Sequence, residues 1–370
     1  MNHPSITTRF DARTNAIGFL RLLLAGLVVY SHTCALGGLG PEWLARWSHG
    51  STIAGYVAVQ AFFVLSGWLL TQSWRHRPRL LGFLRNRALR LVPALWVCLI
   101  VTACVIAPLV FNTTPGNAAG YWSQTPSPLG YIVHNLVQPR AQICIGSMLA
   151  SVPWPGDWNG SLWTLYYEGA CYLMLAAAGA AFLLTRARAI GAAAVLSLLS
   201  LHVVWRLAPG VLPVIAGRLY DTPGKGLVLH FAAGVVWALW PGLKIKGWRA
   251  AGAAGLALLT LVVSWRIGGH IWLSPLLLPP VVLWLAENLP LRGWEQKLGG
   301  DYSYGLYVYG YPVQQLLAHF GVHHAGFAVF FGASLTGAGL LAIASWHGAE
   351  KIALSWKATR TASAPVPATP

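Results

Sequence analysis

Charge is what this chain has least of. Only 9% of its 370 residues are Asp, Glu, Lys or Arg, against about 25% in a soluble domain. Acids are the scarcest, nine in all beside 25 basic residues. With 56% hydrophobic residues and a mean hydropathy of +0.57, this excludes a soluble globular protein and implies a polytopic membrane protein. Cysteine chemistry is also thin: Cys34, Cys98, Cys104, Cys144 and Cys171 form no CxxC pair and no zinc-ligand spacing. They read as small core residues, with Cys34 and Cys144 alone falling on a common outer side where a disulfide could form. No strand-like alternation recurs, and no nearby carboxylate pattern turns His270, His319, His323 and His324 into a metal site. No metal is expected.

What is present is a series of apolar runs of membrane-spanning length. They lie at about 16–36, 52–73, 91–111, 161–184, 189–207, 226–242, 250–265, 271–289, 302–320 and 326–346. The expected fold is therefore an all-α integral membrane bundle of about ten transmembrane helices. Nineteen Trp and thirteen Tyr suit aromatic belts at its two interfaces. If the N-terminus is cytoplasmic, eighteen Lys and Arg fall inside and six outside, with Arg21 within a span. That asymmetry places both termini in the cytoplasm. It also makes the net charge of +16 a topology signal, so no nucleic-acid partner is expected. The first run reads as a retained signal anchor, because Arg21 interrupts it and TCALGGLG is a poor cleavage site. Residues 1–350 form the transmembrane domain, and 351–370, polar and Pro-rich, read as a disordered cytoplasmic tail. The outer segment 112–160 is too long for a simple connector. Its Trp122, Trp154 and Trp158 could stack on sugar faces, plug the mouth of the bundle or anchor it at the interface.

The stretch that organises the chain is Phe19–His32, FLRLLLAGLVVYSH. Arg21 and His32, eleven residues apart, lie on one helix face, ~16 Å apart along the axis. Two such groups on one stripe want a protein or water-filled surrounding, although a snorkelling Arg and a neutral His bonded to a neighbour would give the same pattern. Arg87 and Arg90, at i and i+3, share a face at the cytoplasmic mouth and could grip phosphates bidentately or anchor the helix to anionic lipid. Glu168, in NGSLWTLYYEG, lies ~10 Å below the outer edge, and His32 ~7 Å below the same surface. The two could pair if their helices are neighbours, the carboxylate fixing the imidazole tautomer; a structural cap or a water ligand is the alternative for Glu168. Tyr304, Tyr307 and Tyr311 form a stripe at i, i+3, i+7, behind Asp301, which is placed as a helix N-cap.

Together these landmarks resemble the acyltransferase-3 family, bacterial membrane proteins that O-acylate surface polysaccharides and glycolipids. Arg21 and His32 look like the family's R-x10-H pair, and FFVLSGWL (Phe62–Leu69) like its FFxLSGxL segment. Phe83–Pro93 follows F-x3-R-x2-R-x2-P, Asn159–Glu168 follows NGSLWTLxxE, and Asp301–Tyr309 follows D-x-SYGxYxY. The resemblance runs from Phe19 to about Lys351. It implies a cytoplasmic acyl-CoA donor, usually acetyl-CoA, and a glycan or glycolipid hydroxyl as acceptor, in the lipid of a bacterial inner membrane. On that footing His32 and Glu168 are the candidate catalytic residues. Arg21, Arg87 and Arg90 would bind the donor, and Trp163, Tyr304 and Tyr307 would line the substrate path. SWHGAEKIAL only loosely resembles the family's closing helix, so Glu350 is given no catalytic role. A polysaccharide or lipid carrier using the same stripe is the alternative, weakened by the lack of two similar halves. A lipid-linked glycosyltransferase would want early acids in the first outer loop, where Glu42 stands alone.

Overall fold

The structure is a computed structural model that describes residues 15–114, 120–181, 225–240, 246–267 and 270–356. Every regular element among these residues is helical. The chain runs through α1 (Ile17–Leu36), the short α2 (Trp43–Trp47), α3 (Ala54–His76) and the long α4 (Leu80–Thr113). After α5 (Pro128–Val137) come α6 (Trp163–Ala180), α7 (Lys225–Leu239), α8 (Trp248–Ile267) and α9 (His270–Asn288). A short α10 (Trp294–Leu298) leads into α11 (Ser303–His319) and the closing α12 (Phe327–Ser355). Of the ten expected runs, 189–207 lies outside the described residues, and the others fall on helices. By length and composition five of these can cross a membrane: α1, α3, α4, α8 and α12.

Among the other helices, α7 and α9 are apolar but shorter in their described residues, and α11, of 17 residues, stands apart. It is among the more polar helices of the bundle, yet every residue from Ser303 to Gln315 is buried. Apolar α8, in contrast, leaves Leu256, Leu259 and Ile267 on its outer face, the side suited to lipid. Hydropathy finds helices that meet lipid; α11 meets α1, α4 and α12 instead. Its polar groups are matched by neighbours. Pro312 has no N–H to give the Val308 carbonyl one turn back, and Asn159 Nδ2 donates there instead at 2.9 Å, with Cys98 Sγ at 3.4 Å. Gln314 Nε2 donates to Val29 O and Thr33 Oγ1, both at 2.9 Å. Gln315 Nε2 reaches the carbonyls of Trp154 and Asp157 at 2.8 and 2.7 Å.

Those last bonds draw the outer segment down into the bundle. Trp158, Asn159, Ser161 and Leu162 are all buried, and an Arg140–Asp157 ion pair of 2.8 Å fastens the segment from above. Of the three tryptophans there, Trp158 is buried, whereas Trp122 and Trp154 remain exposed. All five cysteines carry free thiols, Cys34 and Cys144 included. At the other end, α12 stays helical through Ser355, five residues into the stretch read as tail. Ala353 is buried, and Arg85 Nη2 donates to the Trp356 carbonyl at 2.7 Å, a cation at a helix C-terminus. Residues 357–370 lie outside the described residues.

Close approach of α3 and α7 needs glycine. A Cβ added at Gly67 would overlap the Phe231 carbonyl, and one at Gly234 would overlap that of Val64. This reciprocal contact is the kind that small residues make in membrane bundles. Gly67→Ala is therefore expected to destabilise the protein by about 1–3 kcal/mol, read as a lower unfolding midpoint in detergent. An unchanged midpoint would mean that the two backbones separate without cost.

Candidate active site

A cavity of about 370 Å³ opens where α1, α3, α4, α6 and α11 converge. Part of its lining is apolar, with Phe62 and Leu69 of α3 and Leu165 of α6. The lining also carries three arginines, Arg21, Arg87 and Arg90, and three carboxyl groups, Glu168, Glu295 and Asp301. Three of the nine acids in the sequence thus stand at one cavity. Glu350 joins them from below, 4.0 Å from Arg90 Nη1 and accepting from Ser345 Oγ at 3.2 Å. Among the described residues no cluster of three or more His, Cys, Asp or Glu side chains could hold a metal ion.

Asp301 is the hub. Its Oδ1 accepts from the Ser303 N–H at 3.1 Å and from the Ser303 hydroxyl; Tyr302 holds the N-cap position, so Asp301 bonds the first turn from one residue before it. Its Oδ2 receives Arg21 Nη1 at 2.6 Å and also Arg90 Nη2. Burial opposes ionisation of Asp301, but the charges of Arg21 and Arg90 and the Ser303 bonds hold its carboxyl well below the usual range. Glu295 just upstream is pushed the other way, by its own burial and then by the Asp301 charge. The sequence reading missed this ion cluster. The available signal was the scarcity of acids, which makes each acid beside an apolar run worth a partner search.

The three arginines are not equivalent. Arg21 and Arg90 are committed to Asp301, and the Arg90 guanidinium also lies 5.9 Å over the Trp346 ring. Arg87 makes no ion pair or hydrogen bond among the described residues, and its Nε is buried without a partner. Its guanidinium sits 5.8 Å over the Phe83 ring. Tyr304 and Tyr307 line the cavity. Tyr304 Oη donates to the Leu91 carbonyl at 3.1 Å. Tyr307 Oη meets Thr164 Oγ1 at 2.5 Å and the Ser161 carbonyl at 3.1 Å. Trp163 lies outside the lining, edge-on to Tyr167 at 5.9 Å.

His32 is placed differently from the expectation. Arg21 faces the cavity, but His32, three turns further along α1, packs edge-on against Tyr311 with ring centroids 5.1 Å apart and lies outside the lining. Its buried Nδ1 has no hydrogen-bond partner among the described residues. The anticipated His32–Glu168 pair is not formed: Glu168 accepts from Tyr172 and lines the arginine end of the cavity. The cause is the sunken 158–162 segment. Counting depth from the outer surface assumed that α6 starts there. Asn159, however, already stands level with Val308, the sixth residue of α11, so Glu168 lies deeper still.

The described residues thus form an all-helical bundle, five of whose helices can by length and composition cross a membrane, around a cavity lined by arginines and carboxyl groups. Residues 14–345 match the family model described as an acyltransferase domain, and the chain belongs to that acyltransferase-3 family. It is also 26% identical over 363 residues to an O-acetyl transferase of Shigella phage Sf6, across 92% of this chain and 96% of that protein. No solved structure matches it.

Proposed function

We propose that this protein is an O-acetyltransferase of a bacterial cytoplasmic membrane. It takes acetyl from acetyl-CoA and passes it to a hydroxyl of a surface polysaccharide, glycolipid or lipid-linked glycan. The observation that carries this reading is the cavity, whose lining combines apolar side chains with clustered arginines, one of which, Arg87, makes no ion pair or hydrogen bond among the described residues. Family membership and the phage relative support it. Both termini and the arginine end face the cytoplasm in a bundle of about ten spans, as the distribution of basic residues favours.

Donor phosphates rest at Arg87 and the acetyl thioester extends along the apolar lining toward His32. About 16 Å of α1 separates Arg21 from His32, and the Thr164–Tyr307 pair stands beside that path. His32 takes the proton of the acceptor hydroxyl as its oxygen bonds to the acetyl carbonyl carbon. The thioester C–S bond breaks, and CoA leaves as a thiolate that then binds a proton. Glu168 and Tyr172 belong to the donor end of this arrangement. The test is incubation of purified protein with radiolabelled acetyl-CoA and de-O-acetylated surface glycan. Ester-linked label on the glycan with release of CoA is expected; a carrier would give neither.

A further inference from the structure

The acetyl-CoA reading calls for cations, and the cavity holds three, yet two of them are bound before any donor arrives. We propose that Asp301 is a positioning residue of the transfer reaction: it withholds Arg21 and Arg90 from the donor and leaves Arg87 to meet the phosphates. This inference rests on the acetyl-CoA reading and goes beyond it, since a bare requirement for positive charge would not place a carboxylate among the arginines.

The geometry separates this role from bonding of the helix start. That bonding uses one oxygen, Oδ1, held by two Ser303 bonds. The other oxygen carries both guanidiniums. The Ser303 bonds orient the carboxylate, and its other oxygen joins Arg21 of α1 and Arg90 of α4 at the start of α11. Arg21 is 24% exposed, Arg90 13% and Asp301 10%, so water does little to screen the cluster. Three unpaired arginines would hold an anionic donor tightly in several poses. Binding that is no stronger in the transition state than in the ground state does not speed the chemical step. A single free guanidinium beside two immobilised ones defines one pose, and a near-attack geometry depends on that.

Asparagine at this position is the discriminating change, because its amide oxygen can keep both Ser303 bonds while the second oxygen and the charge are lost. Coenzyme A affinity, acetyl-transfer kcat and unfolding midpoint would be measured for wild type, Asp301→Asn, Asp301→Glu and the double variant Arg21→Gln/Asp301→Asn. Asp301→Asn is expected to bind coenzyme A at least as tightly as wild type while kcat falls roughly tenfold to a hundredfold, the scale of a ~1 Å misplacement. Asp301→Glu is expected to keep the wild-type unfolding midpoint and recover part of kcat. The double variant, with one fewer freed arginine, is expected to lose less kcat than Asp301→Asn. Coenzyme A affinity and kcat falling in parallel with the unfolding midpoint would reduce Asp301 to a structural tie at the start of α11, and an unchanged kcat would remove it from the reaction. Should Asp301→Asn fail to fold, Asp301→Glu decides alone: wild-type coenzyme A affinity with reduced kcat supports positioning, and wild-type values of both overturn it. Failure of wild type itself to bind coenzyme A would overturn the acetyl-CoA reading, a result separate from all of these.

Discussion

Replacing His32 by alanine is expected to cut acetyl transfer by about 10²–10⁴-fold, the usual worth of a positioned general base, while coenzyme A binding stays close to that of wild type. The two effects separate because His32 does not line the arginine-bearing cavity; it lies three turns up α1 against Tyr311. A buried ring nitrogen without a partner among the described residues is expensive to keep, which fits a group reserved for a proton or a substrate. His32→Gln keeps hydrogen bonding but not basicity and is expected to be equally inactive. Radiolabelled acetyl-CoA without acceptor separates two uses of the imidazole. A general base leaves the protein unlabelled, whereas a histidine that carries the acetyl group itself labels wild type and not His32→Ala. Wild-type transfer by His32→Ala would return the residue to a packing role beside Tyr311.

The same histidine shows how far the sequence could be read. Helical spacing correctly gave α1 two polar groups on one stripe, because 3.6 residues per turn is a local property. The partners of that stripe depend on which helices touch and at what depth, and local periodicity carries neither. Glu168 was therefore paired with the wrong end of α1: nothing in NGSLWTL announces that Asn159 is held inside the bundle by the Val308 carbonyl left open by Pro312. Asp301 was half legible. Its bond to a backbone N–H two residues on is local, whereas Arg21 and Arg90 stand 280 and 211 residues away in sequence. α11 reads as an apolar run because Leu306, Val308, Val313, Leu316 and Leu317 outweigh its two glutamines. That it forms the buried axis of the bundle follows from neighbours that satisfy Gln314 and Gln315, a long-range fact.

Separation of the arginine end from His32 also sets what a change at the donor end can do. On the acetyl-CoA reading, substitutions there act on how the donor is held and reach the chemistry only through its pose. Thr164 and Tyr307 form the wall nearest to both ends, one turn of α11 below Tyr311 and its contact with His32.

Arg87 is where the donor end is most exposed to a single substitution. Arg87→Ala is expected to weaken acetyl-CoA binding roughly ten- to a hundredfold, from ~1.5–3 kcal/mol for a charge-assisted contact, with little change in unfolding midpoint. That combination is unusual for a buried charge, whose removal ordinarily strips a partner and destabilises the fold. Here no ion pair or hydrogen bond is lost among the described residues, only a guanidinium–ring contact with Phe83. Arg87→Lys tests the geometry: an ammonium restores the charge but not the planar fork that meets two phosphate oxygens at once. It is expected to recover little of the affinity. Arg90→Lys should behave differently, lowering the unfolding midpoint because it disturbs the bonds to Asp301 and the Trp346 stacking. Titration of coenzyme A into the purified variants, with thermal unfolding in the same detergent, reads both properties. An Arg87→Lys variant that binds coenzyme A as wild type does would leave that arginine to anchor α4 against anionic lipid, with the donor held elsewhere.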